Sequence, residues 1–198
     1  MVGRPQKASD EDILRAAFRA IAHLGPGRLT LADVAKEAGV SAAALVQRFG
    51  SKRALLLAAA RDAASGADYI FPGLRSRHRS PLAALLGLAE CMAMLGSTPE
   101  AVANNLAFLQ LDLNDPEFHR HALAGSKGSR AGIRALVKDA IRAGELVRCD
   151  AGRLASALQA ALNGSLRGWA VHRRGDLAPW LRRDLQTVLE PYRRRRPA

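Results

Sequence analysis

The chain has 198 residues, enough for one domain or for a small one beside a larger one. Thirty Lys and Arg against 18 Asp and Glu give a formal net charge of +12, which favours a polyanionic partner. Two cysteines far apart in sequence, Cys91 and Cys149, exclude a disulfide scaffold and read as reduced thiols; the longest apolar run, 82–95, is too short for a membrane span and contains Glu90.

Residues 1–8 carry Arg4 and Lys7 without apolar periodicity and read as an arm able to reach a phosphate; the polar start lacks a leader's apolar segment, so the expected location is cytoplasmic. Ser9 with Asp12 has capping-box spacing, and Ile13, Ala17, Ile21 and Leu24 form one helical face before Gly25-Pro26 stops the run. Thr30 and Asp33 repeat the box ahead of Leu31, Val34, Ala35 and Ala38, and Gly39 ends that helix. Ser41 starts another at once, with Val40 and Leu45 at hydrophobic-staple spacing. Ser51 caps a further helix with Leu55, Leu56 and Ala59 on its apolar side. The result is a helix, a tight turn and a helix, completed by its flanks.

A plain helical hairpin is one reading of 30–52. The outward set on the second helix favours another. With Leu45 and Phe49 turned inward, Ala42, Ala43, Val46 and Gln47 face out, and small side chains plus an amide suit a major groove better than a solvated face.

The run from Ile13 to Leu56 resembles the DNA-binding domain of the TetR family of bacterial regulators. It does so through Ala16-Ala17, Gly25, Thr30, Val34-Ala35, Ala38-Gly39-Val40-Ser41, Leu45, Phe49, Ser51-Lys52 and Leu55. The resemblance implies that Thr30 and Lys52 meet phosphates and that residues 41–48 are the recognition helix. The expected contact set is therefore Thr30, Ser41, Ala42, Ala43, Val46, Gln47, Arg48 and Lys52, with Arg4 added from the arm. Three positions depart from the family pattern: Val46 replaces a usual tyrosine, Ala43 an often-found glycine, and Arg48 an often-found histidine. The lost hydroxyl removes a backbone contact that Arg48 is chemically able to replace, at a phosphate or a guanine.

Residues 65–80 mix Gly, Pro, Ser and basic side chains and read as the connection between domain 1–63 and domain 64–198. Helices are expected over 82–95 and from Thr98 to about Asp112. Another is expected over 116–143, with a kink or break at Gly125, Gly128 and Gly132. The last two are expected from about 150 to 172 and from 177 to 192. No strand alternation of useful length appears, so the predicted fold is all-α: a helix-turn-helix three-helix unit followed by a larger helical domain.

Clustered catalytic carboxylates, a nucleophile with its base, and a phosphate loop are not recognisable, and His119 and His121 are badly spaced for a metal, so no enzyme, metal or cofactor is predicted. A small-molecule effector pocket in the second domain rests mainly on the resemblance, with Met92, Asn104, Asn105, Phe108, Phe118, His121 and Trp169 as candidate lining. Small and apolar residues on the last two helices, Ala161, Gly164, Gly168, Leu181, Leu185, Val188 and Tyr192, suggest a homodimer interface. The expected function is a homodimeric regulator, a repressor released from palindromic double-stranded DNA by an apolar or amphipathic effector. The alternative is a ligand-independent architectural DNA-binding protein, for which the high charge is the argument.

Overall fold

The computed structural model describes residues 8–94, 96 and 98–194, and every regular element among them is helical. Arg4 lies outside the described residues. Helices α1 (Asp10–Arg28), α2 (Leu31–Ala38), α3 (Ala42–Phe49) and α4 (Lys52–Ala64) form the first unit. Ser9 and Thr30 make reciprocal capping boxes with Asp12 and Asp33, and Ser41 and Ser51 each accept a backbone N–H three residues on. In α1 the chain turns at Gly25, with φ 73°, so the regular helix stops where Gly25-Pro26 predicts and a final turn follows. Gly39 ends α2 with φ 67°, a conformation a β-branched side chain resists.

These caps aim one apolar face of each helix at a common centre. Ile13, Ala17, Ile21, Val34, Leu45, Leu55 and Ala59 are buried there. Phe108 and Phe118 from the second half of the chain belong to the same cluster and meet edge to face at 6.2 Å. The small unit thus completes its core with two aromatic rings that lie 44 and 54 residues beyond its last helix.

The second half comprises α5 (Ala67–Arg77), α6 (Pro81–Leu86), α7 (Leu88–Ala93), α8 (Pro99–Asn114), α9 (Pro116–Arg142), α10 (Ala151–His172) and α11 (Leu177–Leu189), then a 3-10 turn over Glu190–Tyr192. Their core is built around Ile133, Leu136, Val137, Leu154, Leu158, Leu162, Leu181 and Leu185. Three expectations need correction. The segment 65–80 is mostly the helix α5, because its Phe71 and Leu74 are buried in the second core and Ile70 packs partly against it. The kink expected in 116–143 does not form, and α9 is continuous. Its glycines serve as contact points. A Cβ on Gly125, Gly128 or Gly132 would meet Ala64, Ala67 or the Phe71 ring, so α4 and α5 approach α9 along a glycine track. The predicted helix 82–95 is in turn divided at Gly87 into α6 and α7.

Candidate functional site

Helix α3 projects from the first unit on a single buried anchor, Leu45. Ser41, Ala42, Ala43, Val46, Gln47 and Arg48 are all exposed, with Val46 at 49 %, and Phe49 is half-buried against the core. The exposed face therefore combines methyl groups, one amide and one guanidinium on a helix eight residues long. Such a face can enter a major groove, where a glutamine matches adenine and alanine meets the thymine methyl.

The cations around α3 are held in defined positions. Arg48 donates to the carbonyl of Ala8 at 2.6 Å and pairs with Asp10, so the start of α1 restrains it in the unbound protein. Lys52 donates to the carbonyl of Gly27 at 3.3 Å. Thr30 spends its hydroxyl on Asp33, whose carboxyl is held below its usual range by that hydroxyl and by the Thr30 N–H. Arg53, next along α4, pairs with both Asp115 and Glu117 at 2.7 Å and lies over the Phe118 ring. The Arg53 hydrogen bond and the Glu117 N–H hold the Asp115 carboxyl below its usual range. This clasp joins the start of α4 to the start of α9. Sequence spacing gave no signal for it, because Asp115 and Glu117 read there as ordinary helix-start acids and their partner is 62 residues away.

Two clefts separate the halves. One, about 320 Å³, is lined by Phe18, Ala60, Ala63 and Ala64 from α1 and α4 and by Met92, Asn105, Phe108, His121 and Leu166 from the second half. It gathers four of the seven candidate effector residues. The other, about 650 Å³, runs between Pro26, Lys52, Arg53 and Leu56 on one side and Ala107, Gln110, Leu111 and Phe118 on the other. Phe118 thus belongs to a different cleft from the one expected. Asn104 is a strut, donating to the Ala22 carbonyl at 2.9 Å beside Gly25. Trp169 is buried in the second core and donates its indole N–H to Gly175, away from both clefts.

The candidate interface residues divide likewise. Leu181 and Leu185 are buried within the subunit, and with Leu177 and Leu189 they form the inner face of α11. Val188 and Tyr192 pack partly against that core. On α10, Gly164 is exposed, Ala161 and Gly168 are half-buried, and nothing lies within 4 Å of a Cβ placed on either glycine. Cys91 and Cys149 are free and half-buried, and burial pushes both thiols up, away from the reactive thiolate. Among the described residues no group of three His, Cys, Asp or Glu could hold a metal, and no helix is long and apolar enough to cross a membrane.

The family model described as bacterial regulatory proteins, tetR family, matches residues 13–59, the stretch from the first buried residue of α1 through the middle of α4. Over that stretch the chain is similar to the TetR family of bacterial regulatory proteins. A curated relative, the HTH-type transcriptional regulator BetI of Agrobacterium fabrum, is 33% identical over 134 residues, covering 62% of this chain. The match spans only about three fifths of that relative, 60% of its length. Solved TetR-type structures share the fold along nearly the whole chain. A TetR-family regulator from Agrobacterium tumefaciens superposes with TM-score 0.71 at 18% identity, covering 93% of this chain and 97% of that one. SmeT, the repressor of the Stenotrophomonas maltophilia multidrug efflux pump SmeDEF, does so with TM-score 0.66 at 20% identity, covering 95% and 92%.

Proposed function

We propose that the protein is a DNA-binding transcriptional regulator that acts as a repressor on a palindromic operator and is released by a small apolar or amphipathic effector. The observation that carries the reading is the exposed face of α3, polar only at Ser41, Gln47 and Arg48, set on a capped and fully packed helical unit. Residues 1–63 form the DNA-binding domain and residues 64–198 the effector-binding and dimerisation domain. Thr30 and Lys52 lie at the ends of α2 and α4 where phosphates would pass, and Gln47 is the base reader.

The 320 Å³ cleft supports the effector part, because its walls belong to both halves. Its lining is mostly apolar, with Asn105, His121, Ser126 and Asn163 as polar points. A molecule that fits only when α4 moves away from α8 and α9 would shift the protein toward that arrangement by its differential affinity, and α3 moves with α4. The repressor sign follows the relative SmeT, named a repressor. Two subunits would pair through the open face of α10 and the outer side of α11.

Enrichment of duplexes from a random pool by the full-length protein tests the reading. A palindrome should emerge, and a compound that raises the melting temperature should lower affinity for it. Equal retention of all sequences, or stabilising compounds with no effect on DNA, would instead support the architectural alternative.

A further inference from the structure

Charge is distributed over the fold in a way that DNA reading by α3 does not require. Residues 8–64, the described part of the recognition unit, hold eight Lys and Arg against six Asp and Glu, a net +2. The far end of the molecule is built from segments 75–79, 134–153 and 190–194, which hold ten against four, a net +6. These segments meet in space. Arg75 bonds Asp139, the Arg194 N–H donates to Glu145, and Val147 donates to Tyr192.

That end is remote from α3. Helix α9 starts at the Arg53 clasp and passes Ala64, Ala67 and Phe71 in turn before it reaches Arg75. Its 27 residues place Arg142 about 40 Å from Asp115. Charges this far apart are screened from one another at a Debye length of about 10 Å in 0.1 M salt, so the distal cations add nothing to binding at α3. A duplex held on α3 cannot bend round to them either, since its persistence length is about 150 base pairs.

Two open clefts of about 430 and 390 Å³ share Arg142 and so form one band. Arg75 and Arg79 line one side, and Arg134, Lys138 and Arg148 the other. Asp139 is shared by Arg75 and Arg142, while Arg79, Lys138 and Arg148 are exposed and form no ion pair among the described residues. Neither cleft contains Trp, Tyr, Phe or Met, the side chains that anchor protein interfaces. Guanidinium groups predominate, and they suit phosphate oxygens in pairs.

We propose that this distal band is a second nucleic-acid surface, which grips the phosphate backbone of a separate DNA duplex without reading its sequence. A protein engaged through α3 would then bridge two DNA segments. An acidic protein partner is the competing occupant.

The test uses the full chain on a bead-bound duplex, with a labelled second duplex of unrelated sequence in solution. Wild type should retain the label at low salt and release it as salt rises. Replacing Arg79, Lys138 and Arg148 together by Glu takes the band from +6 to 0 without breaking an ion pair among the described residues. This variant should bind the first duplex as wild type does and lose at least about tenfold of the bridged label, as expected when phosphate contacts supply nearly all non-specific affinity. A second background separates the band from α3. Gln47→Ala with Lys52→Glu should still bind random duplex, and adding the three reversals should flatten its salt slope by about 2 to 3. Bridging that survives the reversals would mean that paired recognition helices do the bridging, and the proposal falls. No retained label in wild type, or displacement of the label by polyglutamate at a tenth of the charge needed from competitor DNA, overturns it as well.

Discussion

The Asp12 carboxylate is held well below its ordinary range at the surface. The Ser9 hydroxyl and N–H donate to its carboxylate and Arg15 adds a third contact, so its pKa falls from the ordinary 3.8 to about 2. A depressed carboxylate pKa stabilises the fold above the unfolded value and ceases to do so as pH falls through the folded one. Thermal melts of wild type and Asp12→Asn should therefore differ above about pH 4 and converge toward pH 2; a gap that persists unchanged at pH 2 would assign the effect to packing. The same cap positions the first turn of α1, where Asp10 holds Arg48. Among the described residues the Gln47 amide has no such tether, and it reaches a base without first breaking a contact. Gln47→Ala should cost about 1 to 3 kcal/mol on the selected operator and little on random duplex. Salt titrations on both DNAs check it, and equal losses would remove Gln47 from base reading.

Glycine means different things on different helices, and the elements α9 and α10 separate the meanings. A Cβ on Gly132 would stand 2.2 Å from the buried Phe71 ring, whereas one on Gly164 meets nothing within 4 Å. Gly132→Ala should destabilise the chain by about 1 to 3 kcal/mol through overpacking, visible as a lower denaturation midpoint. Gly164→Ala should add about 0.5 to 1 kcal/mol of helix propensity if that face stays in water, and should weaken self-association if a second subunit covers it. Chemical denaturation over a range of protein concentrations distinguishes the two. Periodicity and caps made the helix content of the sequence legible: Ser9, Thr30, Ser41, Ser51 and Thr98 each start a helix where their spacing predicts. The glycines of α9 misled because an isolated helix is weakened by glycine, while a packed one uses it to admit a neighbour. The helix α5 was hidden for the opposite reason. Its Gly, Pro and Arg content reads as a loop, and only burial of Phe71 and Leu74 against α9 overrides it.

Contacts between distant segments decide how the whole molecule works, and these were the least legible. The Arg53 clasp, the Asn104 strut and the shared burial of Phe108 and Phe118 join the recognition unit to α8 and α9, and none leaves a periodic trace. The faces of α11 were equally ambiguous, since an apolar stripe does not say whether its partner lies in the same chain. Leu181 and Leu185 belong to the subunit's own core, so that under the proposed pairing Gly164 and Gly168 of α10 and the outer edge of α11 would meet a second subunit. This division turns the assembly question into a contrast between two variants. Leu185→Glu buries a charge without a partner, at a cost of several kcal/mol, and should lower the melting temperature sharply at every concentration. Gly164→Arg places a long cation on an open face, and as a monomer it should be folded to within about 0.5 kcal/mol of wild type. Sedimentation equilibrium should show wild type as a dimer and Gly164→Arg as a monomer with normal helicity. Two recognition helices fixed about 34 to 36 Å apart are what a palindrome in successive major grooves requires. The monomeric variant should therefore lose operator affinity far beyond its loss on random duplex. A wild-type monomer that binds one palindrome tightly, or a Gly164→Arg dimer of unchanged affinity, would place the contact on another face.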